Sequence, residues 1–143
     1  MHVTFGGETG DLAYAYVREI LHPAILNHSV RVWLLADHLA RQQDLHGAER
    51  EALAVACLFH DSGTAAPHDG AQRFEVEGAD AARAFLADHG WSEDLGRQVW
   101  EAVALHTSPA SRNAWAPCRG WSGSRCSRTS AGPTSSAPRA ATS

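Results

Sequence analysis

The chain has 143 residues, of which 44% are hydrophobic and 20% charged, with a net charge of −4. This is the balance of one globular domain of ordinary size, too short for two independent cores. No apolar run approaches the roughly 18 residues of a membrane span, and acidic residues scattered along the body argue against a general nucleic-acid or anionic-membrane surface. Residues 1–11 hold no basic stretch followed by an apolar one, so no secretory signal is expected and a cytoplasmic location is. The expected partner is a small molecule, and the oligomeric state is not legible. Cys57, Cys118 and Cys126 are odd in number and form no CxxC pair. Neither a disulfide framework nor a thiolate zinc site is therefore expected, and any metal must be held by histidine and carboxylate.

In chain order, Leu12, Tyr16, Ile20 and Ala13, Val17, Leu21 recur at helical spacing, which predicts a short helix from Asp11 to Leu21. His22-Pro23 interrupts it. Pro23 suits the opening turn of a second, longer helix reaching about Gln42, with Val32, Leu35 and Leu39 on one apolar stripe. Asp44–Gly47 reads as a turn. From Ala48 to His60, charged residues give way to a wholly apolar end, the mark of a central buried helix. Gly63 is a plausible stop, and Thr64–Arg73, with Pro67, Asp69 and Gly70, reads as a loop long enough to be functional. Helical patterning resumes from Val76 to His89, ends at Gly90, and restarts behind the N-cap candidate Ser92 as far as His106. No strand pattern of useful length appears, so the expectation is an all-α bundle of about five helices.

After Asn113 the character changes. Pro117, Gly120, Gly123, Gly132, Pro133 and Pro138 punctuate a run of Ser, Arg, Ala and Thr without Asp or Glu. Such a composition buries too little apolar surface to offset its ordering entropy. The expected division is a helical body over residues 1–112 and a low-complexity tail, disordered or non-native, over 113–143.

The strongest chemical signal is Phe59-His60-Asp61 at the end of the most apolar helix. An imidazole beside a carboxylate is costly there unless both are paired or metal-bound. Adjacent helical residues diverge by about 100°, so the two converge on one ion only where the helix ends, which Ser62-Gly63 provides. His28, on the preceding long helix, is placed to supply a third ligand. His28, His60 and Asp61 make a set suited to zinc, iron or manganese, and such an ion lowers the pKa of water and polarises a substrate. The plainer alternative for His60-Asp61 is a hydrogen-bonded helix end. His106 falls on the stripe of Val99 and Val103 and faces inward, either as a satisfied core histidine or as a pocket acid or base. Glu75, in the acidic run Arg73–Asp80, is either a helix start favoured by the macrodipole or a pocket group. His68 and Asp69 are a solvated loop pair or a contact near the metal.

Four blocks carry a resemblance: Asn27-His28-Ser29-Val30-Arg31-Val32, Phe59-His60-Asp61-Ser62-Gly63-Thr64, Arg73-Phe74-Glu75-Val76-Glu77-Gly78-Ala79-Asp80 and Ala104-Leu105-His106-Thr107. Over about residues 12–112 the chain resembles the HD-domain superfamily of metal-dependent hydrolases, and its wording is closest to the cyanamide hydratase-like branch. The resemblance implies an HD-domain helical bundle. It also implies that His28, His60 and Asp61 are metal ligands, that Thr64, Glu75 and His106 are pocket groups of catalysis, and that metal-activated water adds to a small nitrile or related nitrogenous compound, a hydrolase or lyase reaction. Many HD phosphohydrolases carry Lys after the His-Asp-x-Gly turn. Here that position is Thr64, and the chain has no lysine at all. The alternatives are a phosphohydrolase of nucleotides or phosphate esters in which arginine replaces that lysine, and a catalytically inactive HD module.

The pattern breaks at its end. The superfamily's final ligand is an Asp on a later helix, yet no acidic residue follows Glu101. Written with codons ending in G or C and entered two bases late in each codon, the stretch RCSRTSAGPTSSA, residues 125–137, can read VLADVGGPDVVG, which contains an Asp. A frameshift near residues 113–118 is therefore expected to have replaced or truncated the end of the bundle, and reading the gene's nucleotides tests this.

Overall fold

A computed structural model describes residues 3–108, and within them the chain is all α. Helix α1 spans Glu8–Ile20, α2 Pro23–Gln42, α3 Gly47–Phe59, α4 Phe74–Asp88 and α5 Glu93–Ala104, with two short 3₁₀ turns, Ser62–Thr64 and Ala66–His68, between α3 and α4. The expected tail, 113–143, lies outside the described residues.

Helix α3 is the axis of the bundle and packs against each of the other four helices. Every residue from Ala52 to Phe59 is buried, so the apolar end read in the sequence is apolar because it has no solvent-facing side. Around it sit Val17 of α1, Trp33 of α2, Leu86 of α4 and Val99 and Val103 of α5, all fully buried. Trp33 directs its indole Nε1–H to the Thr4 carbonyl at 3.1 Å, which satisfies its one polar atom and ties the N-terminal segment to α2.

The helix ends follow local chemistry. Pro23 opens α2, where its missing N–H costs nothing. Ser92 Oγ accepts from Leu95 N at the start of α5. The first turn of α1 is satisfied from a distance, for the Glu51 carboxylate of α3 accepts from Thr9 N at 2.7 Å. Gly90, at φ 77°, follows α4 in the left-handed region that a glycine enters without strain.

One expectation is corrected. The stripe Val32, Leu35 and Leu39 is not the buried face of α2: Leu35 is 63% exposed, and the helix turns Ser29, Trp33, Ala36 and Ala40 inward. Both stripes obey the same 3.6-residue period, so periodicity establishes the helix but not its phase. Ala36 and Ala40 are buried on this face beside Trp33, one of the largest fully buried side chains among the described residues.

Candidate metal centre

The centre forms where α3 stops. His60 still has helical backbone angles, φ −58° and ψ −33°, whereas Asp61 turns to φ −106° and ψ 9° and starts the Ser62–Thr64 turn. That change of direction brings two adjacent side chains to one place. Thr64 fixes the turn by donating both its backbone N–H and its hydroxyl to the Asp61 carbonyl, at 3.1 and 2.7 Å. Gly63 is indispensable to its position, since a Cβ there would lie 1.8 Å from the Phe74 carbonyl oxygen at the start of α4.

His28 of α2 approaches from the neighbouring helix. Its Nε2 lies 3.7 Å from Asp61 Oδ2, and His60 Nε2 lies 3.0 Å from the same oxygen. Together His28, His60 and Asp61 offer ligand atoms all within 4.8 Å of one another, a group that could hold a metal ion. The His60 side chain is 5% exposed, that of Asp61 24% and that of His28 55%, so the group opens to solvent on the α2 side.

The donor chemistry fits a cation. The backbone carbonyl of Cys57 can only accept, so the His60 Nδ1 at 2.7 Å from it is the donor. In the neutral ring Nε2 is then an acceptor, and it faces a carboxylate, itself an acceptor. Lone pairs opposed in this way require a proton or a metal ion between them. Anchoring the far nitrogen on a carbonyl is also the usual means of orienting an imidazole toward a metal.

His106 stands on the other side of the carboxylate. It follows α5, its Nδ1 donates to the Val103 carbonyl at 2.6 Å, and its Nε2 lies 3.4 Å from Asp61 Oδ1. Its ring meets that of His60 edge-on at 5.2 Å. Hydrogen bonds from His106 and His60, with their charge, outweigh burial and hold the Asp61 carboxyl below the ordinary range. Burial disfavours charge on His106, but the bonds to Asp61 and the Val103 carbonyl and the charges of Asp61 and Glu75 prevail, raising its pKa.

Glu75 supports this side of the site. It is 5% exposed and accepts from the Thr107 hydroxyl, next in sequence to His106, and from Arg73 at 3.1 Å. The Thr107 hydrogen bond above all, with Arg73 assisting, holds its carboxyl down at about 2. Of the residues singled out in the sequence, His28, His60, Asp61 and His106 thus come together, Glu75 stands behind His106, and Thr64 is exposed and bonded to the Asp61 backbone. His68 turns its ring inward, stacked on Phe59, while Asp69 is exposed.

Two partners escaped the sequence reading. Tyr16 Oη bonds His68 Nε2 at 2.7 Å, and His68 Nδ1 lies 3.2 Å from the Ser62 carbonyl, which links α1 to the turn beside Asp61. Thr107 bonds both Glu75 and Arg73. Tyr16 had read as a member of an apolar stripe, and nothing in spacing marks either contact, because both join residues more than 30 positions apart.

An all-helical bundle with two histidines and an aspartate converging at a broken helix end is a helical domain with a group that could hold a metal ion. The family model of the HD domain matches residues 25–136, and the chain belongs to that family, whose members are typically metal-dependent hydrolases. No curated protein and no solved structure matches the chain.

Proposed function

We propose that this chain is a metal-dependent hydrolase or hydratase of a small nitrogenous substrate such as a nitrile, with His28, His60 and Asp61 as the metal ligands. The observation that carries the reading is the convergence of the three ligand atoms within 4.8 Å at the end of α3. The nitrogenous substrate is supported by the four sequence blocks and by the lack of any lysine.

A divalent zinc, iron or manganese ion in this set supplies Lewis-acid chemistry, polarising a substrate and lowering the pKa of water. The chain's own residues prepare the place. Cys57 orients His60 through its carbonyl, and Thr64 secures the backbone of Asp61 from the solvent side. Substrate enters past His28, the exposed member of the set. Glu75, ionised and bonded to Thr107, keeps the segment that carries His106 against the carboxylate.

The test has two arms. Elemental analysis of purified protein is expected to find near-stoichiometric transition metal, lost in His60→Ala and Asp61→Ala; a metal-free parent, or unchanged metal in both variants, overturns the site. Assays of nitrile hydration against phosphate release then choose the substrate class. A phosphohydrolase is favoured by one observation, that Arg73 is 67% exposed beside Glu75 and bonded to Thr107, where a guanidinium could receive a phosphate. Metal without either activity would favour an inactive HD module.

A further inference from the structure

Among the described residues Arg31 is the one arginine that faces no carboxylate. Arg18, Arg41, Arg50, Arg73, Arg83 and Arg97 each pair with an Asp or Glu at 2.5–3.4 Å. Arg31 is exposed on α2, and the residues three and four positions from it are Asn27, His28, Leu34 and Leu35, none of them acidic. Residues 1, 2 and 109–143 hold no Asp or Glu either.

Its place on α2 gives this lack of a partner a meaning. His28, three residues earlier, is the exposed member of the metal-capable group, at 55%. Residues at i and i+3 stand about 5–6 Å apart on one helix face, and helical side chains lean toward the N-terminus, over the preceding turn. Arg31 therefore belongs to the turn of His28, on the side where the group opens to solvent. A divalent ion held by two neutral imidazoles and one carboxylate keeps a net positive charge, and Arg31 adds to it. The chain as a whole is at −4, so this is a local positive field on an acidic body, which concentrates anions that the rest of the surface repels. A guanidinium with no internal partner has its whole fork of donors available to a carboxylate or phosphate. Leu34 and Leu35, 49% and 63% exposed, come next on the exposed side. The cationic stretch is thus one residue long, which suits a small molecule and not a polyanion.

We infer that Arg31 is a substrate-binding residue and that the substrate is a small anion. One end reaches the metal, and a carboxylate or phosphate roughly one helical turn away, about 5 Å, sits on the guanidinium. This rests on the reading of His28, His60 and Asp61 as a metal centre. Among nitrogenous substrates it selects those that also bear an acid group.

The experiment is calorimetric titration of the full chain loaded with zinc(II), using butyrate, succinate and 3-phosphonopropionate as probes. Butyrate and succinate have the same four-carbon length and differ in the second carboxylate, so the ratio of their affinities isolates the far contact. Wild type is expected to prefer succinate by about three- to tenfold, between the worth of an exposed ion pair and that of a charged hydrogen bond, and the preference should shrink as salt is raised. Arg31→Gln should lose it with zinc content unchanged, and Arg31→Lys should keep part of it. Tighter binding of the phosphonate than of succinate, dependent on Arg31, assigns a phosphate-bearing substrate; the reverse order assigns a carboxylate. No preference in wild type, or the same preference in Arg31→Gln, overturns the inference and leaves the metal centre standing. Absence of bound zinc in wild type overturns both. Arg31 is exposed, so neither substitution disturbs the core.

Discussion

Among the described residues Glu75 is the one buried carboxylate, and the Thr107 hydrogen bond, which outweighs the opposing effect of burial, gives it a definite signature in acid. Its carboxyl lies at about 2 in the folded chain against an ordinary 4.5, so folding favours the ionised form. The stability this supplies is present in full above the ordinary value and is lost as pH falls through about 2. Thermal melts of wild type and Glu75→Gln should therefore differ most at neutral pH and converge as the pH approaches 2. A gap that is independent of pH would show that shape, not charge, holds Glu75 in place. Thr107→Val removes the principal hydrogen bond and should move the loss of stability to higher pH.

At the scale of elements, the centre depends on how closely α4 lies over the turn after α3. A Cβ on Gly63 would lie 1.8 Å from the Phe74 carbonyl and 3.0 Å from Gly78 N, both backbone atoms that cannot swing aside. Gly63→Ala should destabilise by about 1–3 kcal/mol or more in urea unfolding, as overpacking does, and should weaken metal binding by displacing Asp61. An alanine variant as stable as wild type would mean that α4 can retreat without cost. The Tyr16–His68–Ser62 connection acts on the same turn from α1. Tyr16→Phe retains the ring stacked on Phe59 at 5.8 Å and loses one hydrogen bond, an expected cost of about 0.5–1.5 kcal/mol. Burial, only partly offset by the Ser62 carbonyl, lowers the pKa of His68, so at neutral pH its Nε2 accepts the Tyr16 hydroxyl.

For the molecule as a whole, α2 has two faces of unequal weight. Trp33 is fully buried, while Leu35 is 63% exposed and Leu34 49%. Trp33→Ala should cost about 3–5 kcal/mol, and Leu35→Ser no more than about 0.5 kcal/mol, as for an ordinary surface change. Equal losses in chemical denaturation would mean that the exposed face is covered in solution. Single exposed leucines are normal on a protein surface, so the location of this pair on the helix carries no role by itself.

The helices, their order and the buried character of α3 were legible in the sequence because period, Pro23, Gly90 and Ser92 act locally. The convergence of His60 with Asp61 was legible for the same reason: two adjacent side chains can meet only where a helix breaks, and Ser62-Gly63 marks the break. The phase of α2 was not, since Val32-Leu35-Leu39 and Trp33-Ala36-Ala40 satisfy one period and only packing against α3 chooses between them. Nor could spacing reveal that Gly63 makes room for the Phe74 carbonyl, that Tyr16 reaches His68, or that Thr107 and Arg73 close on Glu75. Residue types and local pattern determined the candidate ligands and the bundle; the tertiary structure decided which nitrogen faces which oxygen, because contacts between distant residues are set by the packing of whole helices.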